Sequence, residues 1–158
     1  MTSFTDYIDY FEGLAAKFLK HTSAYKTFYR AGLDEYLNQL RDVHFPCMLL
    51  DTYDFVYEDN GGDSVQKNRT ISMIITDHVS DINDYDLIDT AFDNCEQVID
   101  FIFNQIRIDR TDPEANAFIQ AARLNNIKAI PVYNYSEGNY GFLVTIDINS
   151  YHNYSKLS

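Results

Sequence analysis

No apolar run in this chain approaches the roughly 18 residues that a membrane-spanning helix requires. The N-terminus opens with Phe4, Asp6, Tyr7 and Asp9 and has no basic flank, so the pattern of a secretory signal is missing. Cysteine is scarce. Cys47 and Cys95 each sit in an apolar context, which reads as two buried reduced thiols in preference to a disulfide. Cations are scarce too: 12 Lys and Arg stand against 24 Asp and Glu, giving a net charge of −12 and a pI near 4.5. Such a balance disfavours ordinary DNA or RNA binding and docking on anionic membranes. It does not exclude a protein that DNA must slide past without sticking. No repeat, low-complexity tract or linker divides the sequence, so we expect one domain over residues 1–150 with a polar tail at 151–158.

What is present suits a packed domain. A chain of 158 residues can bury roughly two thirds of its unfolded surface. Tyrosine is abundant (13 residues), and surplus tyrosine favours subunit contacts, where the ring packs while the hydroxyl stays wet.

Periodicity predicts the elements. Ser3 and Asp6 form a capping pair ahead of a helix whose inner beat is Phe4, Tyr7, Ile8, Phe11, Leu14, Ala15 and Phe18. Residues 20–32 read as an irregular basic stretch. Leu33, Tyr36, Leu37 and Leu40 mark a short second helix. After Pro46, residues 45–57 read as a strand, 58–68 as a long polar hairpin loop, and 69–79 as the returning strand. A long helix starts at Asp84 or Asp86. A further helix is predicted from Thr111-Asp112-Pro113-Glu114, with Phe118, Ala121, Ala122 and Leu124 inward. Residues 127–133 form a strand whose Pro131 argues for an edge or a bulge. Tyr140, Phe142, Val144, Ile146 and Ile148 alternate as its partner. The expected class is α+β: an antiparallel sheet of about four strands, in two hairpins, packed against the long central helix and the N-terminal helix.

Eight acidic residues and no Lys or Arg lie between positions 77 and 100. On the long helix, Ile88, Ala91, Phe92, Cys95, Ile99, Ile102 and Ile106 cluster within about 100° of one another. Asp89, Asp93, Glu96 and Asp100 form a stripe roughly 120° away. These four are the first candidate interaction residues. The loop residues Asp59, Asn60, Gly61, Gly62 and Asp63, with Lys67 and Arg69 at the loop's end, are the second set.

Other constellations carry chemical side chains. Asp77, His78 and Asp81 place an imidazole beside carboxylates, as a metal or acid–base cluster would; a solvated strand-to-helix junction accounts for them as well. Residues 81–86 imitate the start of a calcium loop, but a loop from Asp81 to Phe92 holds Asp86 and Phe92 where Gly and Glu are required. His44 and Cys47 fall on opposite faces of a strand, which spoils a nucleophile pair. We therefore expect no catalytic residue, no cofactor and no metal ligand.

Several features resemble the tail terminator and tail-completion proteins of tailed bacteriophages and related contractile particles. They are the Pro-led strand Phe45-Pro46-Cys47-Met48-Leu49-Leu50, the polar hairpin loop and Arg69-Thr70-Ile71-Ser72-Met73-Ile74-Ile75. The helix from Leu87 to Ile106 and the closing strand Glu137-Gly138-Asn139-Tyr140-Gly141-Phe142-Leu143-Val144 complete the pattern. The resemblance covers residues 33–149; the segment near 111–126 is longer than the family's usual connection. It implies a structural virion protein of the tail or neck, made in the bacterial cytoplasm. Such a protein multimerises, often as a hexameric ring, at the head-proximal end of the tail against neighbouring tail or neck proteins. It needs no sequence-specific nucleic acid binding and no membrane. A different reading is an acidic interaction module from a mobile element, a DNA mimic that binds a basic protein.

Overall fold

The computed structural model describes residues 3–30, 43–59, 61, 65–120, 122–134 and 137–152. The short helix expected at Leu33, Tyr36, Leu37 and Leu40 lies outside the described residues, as do Asn60, Gly62 and Asp63.

Helix α1 spans Phe4–Phe18. The Ser3 hydroxyl accepts from the Asp6 N–H while the Asp6 carboxylate accepts from the Ser3 N–H, so two donors at the helix start are satisfied at once. Those bonds hold the Asp6 carboxyl below its ordinary value. Helix α2 spans Tyr85–Asp109 and is capped by Asp84, which accepts from the N–H groups of Asp86 and Leu87.

The strands are β1 (Phe28–Arg30), β2 (Cys47–Leu50), β3 (Asp54–Asp59), β4 (Val65–His78), β5 (Arg123–Asn134) and β6 (Asn139–His152). They form one six-stranded sheet in the order β1-β2-β4-β6-β5, with β3 pairing the near half of β4 in line with β2. β1 runs parallel to β2, and every other pair is antiparallel.

This corrects the expected sheet of about four antiparallel strands against one central helix. Among the described residues the sheet has six strands and is mixed, and two helices cover it. Three local misreadings explain the difference. The stretch read as irregular contains β1, whose three residues are too few to show a period. The single strand expected at 45–57 is two strands, because the chain leaves β2 at Asp51 and re-enters β4's edge at Asp54. The expected 58–68 loop is mostly strand: β3 runs to Asp59 and β4 begins at Val65.

Residues 111–120 form turns and not the expected helix, whose Ala121 lies outside the described residues. There the Asn116 carboxamide oxygen accepts from the Phe118 N–H, and the Gln120 amide donates to the carbonyls of Pro113 and Ala115. These side chains take up backbone groups that a helix would need.

One core joins both helices to one sheet face. Tyr7, Phe11 and Leu14 of α1 and Cys95, Val98, Ile102 and Ile106 of α2 pack on Ile71, Met73, Ile75, Val144, Ile146 and Ile148. Cross-strand register puts the sheet residues together: Ile71 faces Ile146 and Met73 faces Val144. Gly138 turns β5 into β6 at φ 69°, a conformation that favours glycine. Any Cβ there would also press on the Val79 carbonyl at 2.7 Å.

Candidate functional site

The acidic stripe is where periodicity placed it. Asp89, Asp93, Glu96 and Asp100 are all exposed on the side of α2 that faces away from the sheet. The inner side carries Ala91, Cys95, Val98, Ile102 and Ile106, all buried. Among the described residues, these four carboxylates make no ion pair. From Asp89 to Asp100 the row extends about 16 Å along the helix. The other end of α2 is tied to α1: Tyr10 donates to Asp109 at 2.9 Å, Gln105 donates to the same carboxylate, and Lys17 donates to Gln105 at 2.6 Å. The stripe is therefore held rigidly on a helix that is anchored along its length.

The second candidate set divides. Asp59 ends β3, and its carboxylate accepts from the Gly61 N–H at 2.9 Å, with Gly61 at φ 72°. Lys67 stands opposite Tyr57 on the hairpin, with its Nζ 4.0 Å from the Phe55 ring centre and 5.4 Å from that of Tyr57. Arg69 is not a surface cation. It is 5% exposed, donates to the Ser150 hydroxyl at 2.8 Å, and lies over the rings of Tyr53 and Phe118. Its charge belongs to the packing between hairpin and core.

Sequence reasoning missed the exposed aromatic row that the hairpin carries. Phe55 and Tyr57 are 51% and 47% exposed, and their rings meet edge-on at 5.7 Å. Tyr53 links this pair inward to Phe118 and Phe4. The signal was the alternation Tyr53, Phe55, Tyr57, which a strand puts on one side.

The polar junction near His78 is occupied locally. The Asp77 carboxylate accepts from the His78 N–H and from the Asn94 amide, Asp81 accepts from the Asn83 N–H, and His78 Nδ1 lies 3.1 Å from Asn139 Oδ1. Among the described residues no group of three or more His, Cys, Asp or Glu side chains is arranged to hold a metal ion. Burial, with the Asp77 charge adding to it, pushes the Cys47 thiol up to about 11 and that of Cys95 up to about 12. Neither forms the thiolate that a nucleophile needs at neutral pH.

One hollow lies on the sheet face opposite the helices, lined by Cys47, Leu49, Ile74, Thr76, Val132, Tyr133 and Asn139, with a volume of about 180 Å³. Gly141 pairs with Thr76 beside it. A Cβ at Gly141 would collide with the Ile75 carbonyl.

The chain matches no family model, no curated protein and no solved structure. Among the described residues no helix is long and apolar enough to cross a membrane.

Proposed function

We propose that this protein is a structural assembly subunit of the tail terminator or neck connector type, acting as a ring at the head-proximal end of a phage tail. The observation that carries the reading is the unpaired carboxylate row on a rigid helix. Four like charges, three and four residues apart, cost folding free energy, a few tenths of a kcal/mol per adjacent pair. A surface that keeps them has a use for the negative potential. Lining a lumen, the row repels phosphate, so that DNA passes without being held. The exposed hairpin aromatics supply the apolar contact that neighbouring subunits need.

The test combines mass and function. Light scattering across concentration should give a multimer of defined copy number. The quadruple variant Asp89→Asn, Asp93→Asn, Glu96→Gln, Asp100→Asn should fold and yet eject DNA abnormally from particles that carry it. Unchanged ejection and infectivity would count against the lumen role. The same carboxylate row also suits a DNA mimic, and stoichiometry separates the two readings. A one-to-one complex with a basic protein, and no self-association, would favour the mimic.

A further inference from the structure

The two lateral edges of the sheet are unlike each other. At one edge β3 presents Asp54, Phe55, Val56, Tyr57 and Glu58, all exposed, and among the described residues no strand pairs its outer side. At the other edge, β5 presents Arg123, Asn126 and Lys128, also exposed, with Leu124 and Ile127 half-buried. One edge carries acids and the other carries bases.

Register decides whether the two edges can join. On β3, Asp54, Val56 and Glu58 lie on the sheet face away from the helices, and Phe55 and Tyr57 lie on the helix side, as Thr70 and Arg69 opposite them show. On β5, the bulge at Asn125 puts Arg123, Asn126 and Lys128 on the open face and Leu124 and Ile127 on the helix side. With helices on the same side, one register of two copies matches position by position. Asp54 meets Lys128, Phe55 meets Ile127, Val56 meets Asn126, Tyr57 meets Leu124 and Glu58 meets Arg123. Each acid faces a base and each aromatic an aliphatic, the pairings that stabilise a two-strand contact. Pro131 lacks an N–H and ends the ladder beyond Ile130.

Direction follows from the same constraint. β3 runs against β4, and β4 runs parallel to β5, because β6 lies between them antiparallel to both. A copy added with the same face and the same orientation places β3 antiparallel to its neighbour's β5. A parallel join would need the copy turned over, which puts its helices on the opposite side and destroys the charge match.

We propose that β3 of one copy docks antiparallel on β5 of the next, continuing the sheet across the subunit boundary with Asp54 opposite Lys128. The contact is heterologous, so the operator repeats and closes into a ring if the rotation per subunit allows. It deepens the ring reading above and rests on it.

Cysteine trapping tests it. Within one chain, residues 54 and 128 are separated by β4 and β6, about 14 Å across three strand spacings. A disulfide in the variant Asp54→Cys, Lys128→Cys can therefore form only between copies. Mild oxidation should give a ladder of linked oligomers on a non-reducing gel, and the paired control Asp54→Cys, Arg123→Cys should give none. Lys128→Glu should weaken association by about tenfold or more, and adding Asp54→Lys should restore it. If wild type assembles but Asp54→Cys, Lys128→Cys does not link and Lys128→Glu assembles normally, this interface is wrong and the ring reading survives. Linkage in the control alone overturns the register. A wild-type protein that stays monomeric at all concentrations overturns both. Should Lys128→Glu misfold by circular dichroism, the cysteine ladder decides by itself.

Discussion

The two halves of β4 do different work with the same backbone. From Ile71 to Ile75 the inward residues Ile71, Met73 and Ile75 lie under both helices and are at most 1% exposed. From Val65 to Arg69 the strand runs past the main helical cover. Its helix-side positions are Val65, which is buried, and Lys67 and Arg69, over which lie rings from β3 and from the Tyr53–Phe118 packing. One half builds stability; the other builds a surface. The difference lies in what packs above the strand, since pairing with β6 is continuous along its length.

The strongest way to break this contrast is to truncate both halves. Met73→Ala removes a fully buried side chain and leaves a cavity, so it should cost about 2–5 kcal/mol of stability. Lys67→Ala removes a cation resting on two partly exposed rings and should cost about 0.5–1 kcal/mol. Urea unfolding of the two variants checks this. Equal losses would mean that the hairpin half is as much core as the other.

How much of this was legible before the structure follows the same division. The Ser3–Asp6 cap, the faces of α1 and α2, and the alternation in β6 were readable because each depends on spacing within one segment. The hairpin half of β4 was not. Gln66, Lys67 and Asn68 carry no apolar beat, and they are a strand only because β3 and β6 pair with them on both sides. β1 was invisible for a related reason, since three residues beside Met48–Leu50 have no period of their own. The helix predicted from Thr111 failed because Asn116 and Gln120 bond to nearby backbone groups, a competition that residue spacing does not reveal. In the candidate site, the acidic stripe could be read from helical geometry. The unlike sheet edges could not, because which strand lies outermost depends on partners distant in sequence.

A finer probe acts on the exposed aromatics alone. Phe55→Ala removes a ring that is half in solvent, so the isolated subunit should lose no more than about 1 kcal/mol. Association should fall further than stability does, because burying that ring occurs only when another surface covers it. Thermal unfolding of dilute protein and light scattering of concentrated protein report the two effects separately. A variant that loses stability but assembles like wild type would assign the aromatic row to folding.

The smallest effect expected is on the stripe, and its sign is the informative part. Asp93 has like-charged neighbours at Asp89 and Glu96, four residues before it and three after. Both spacings bring side chains together on a helix surface. Asp and Asn have similar helix propensities, so Asp93→Asn mainly removes repulsion. Stability should rise by a few tenths of a kcal/mol at low salt. The gain should shrink as ionic strength rises, since the screening length falls to about 10 Å at 0.1 M and further above it. Thermal denaturation of the two proteins at low and high salt measures this. A destabilised variant would mean that Asp93 accepts a stabilising contact, and the stripe would then be a structural feature with no free potential to offer a partner.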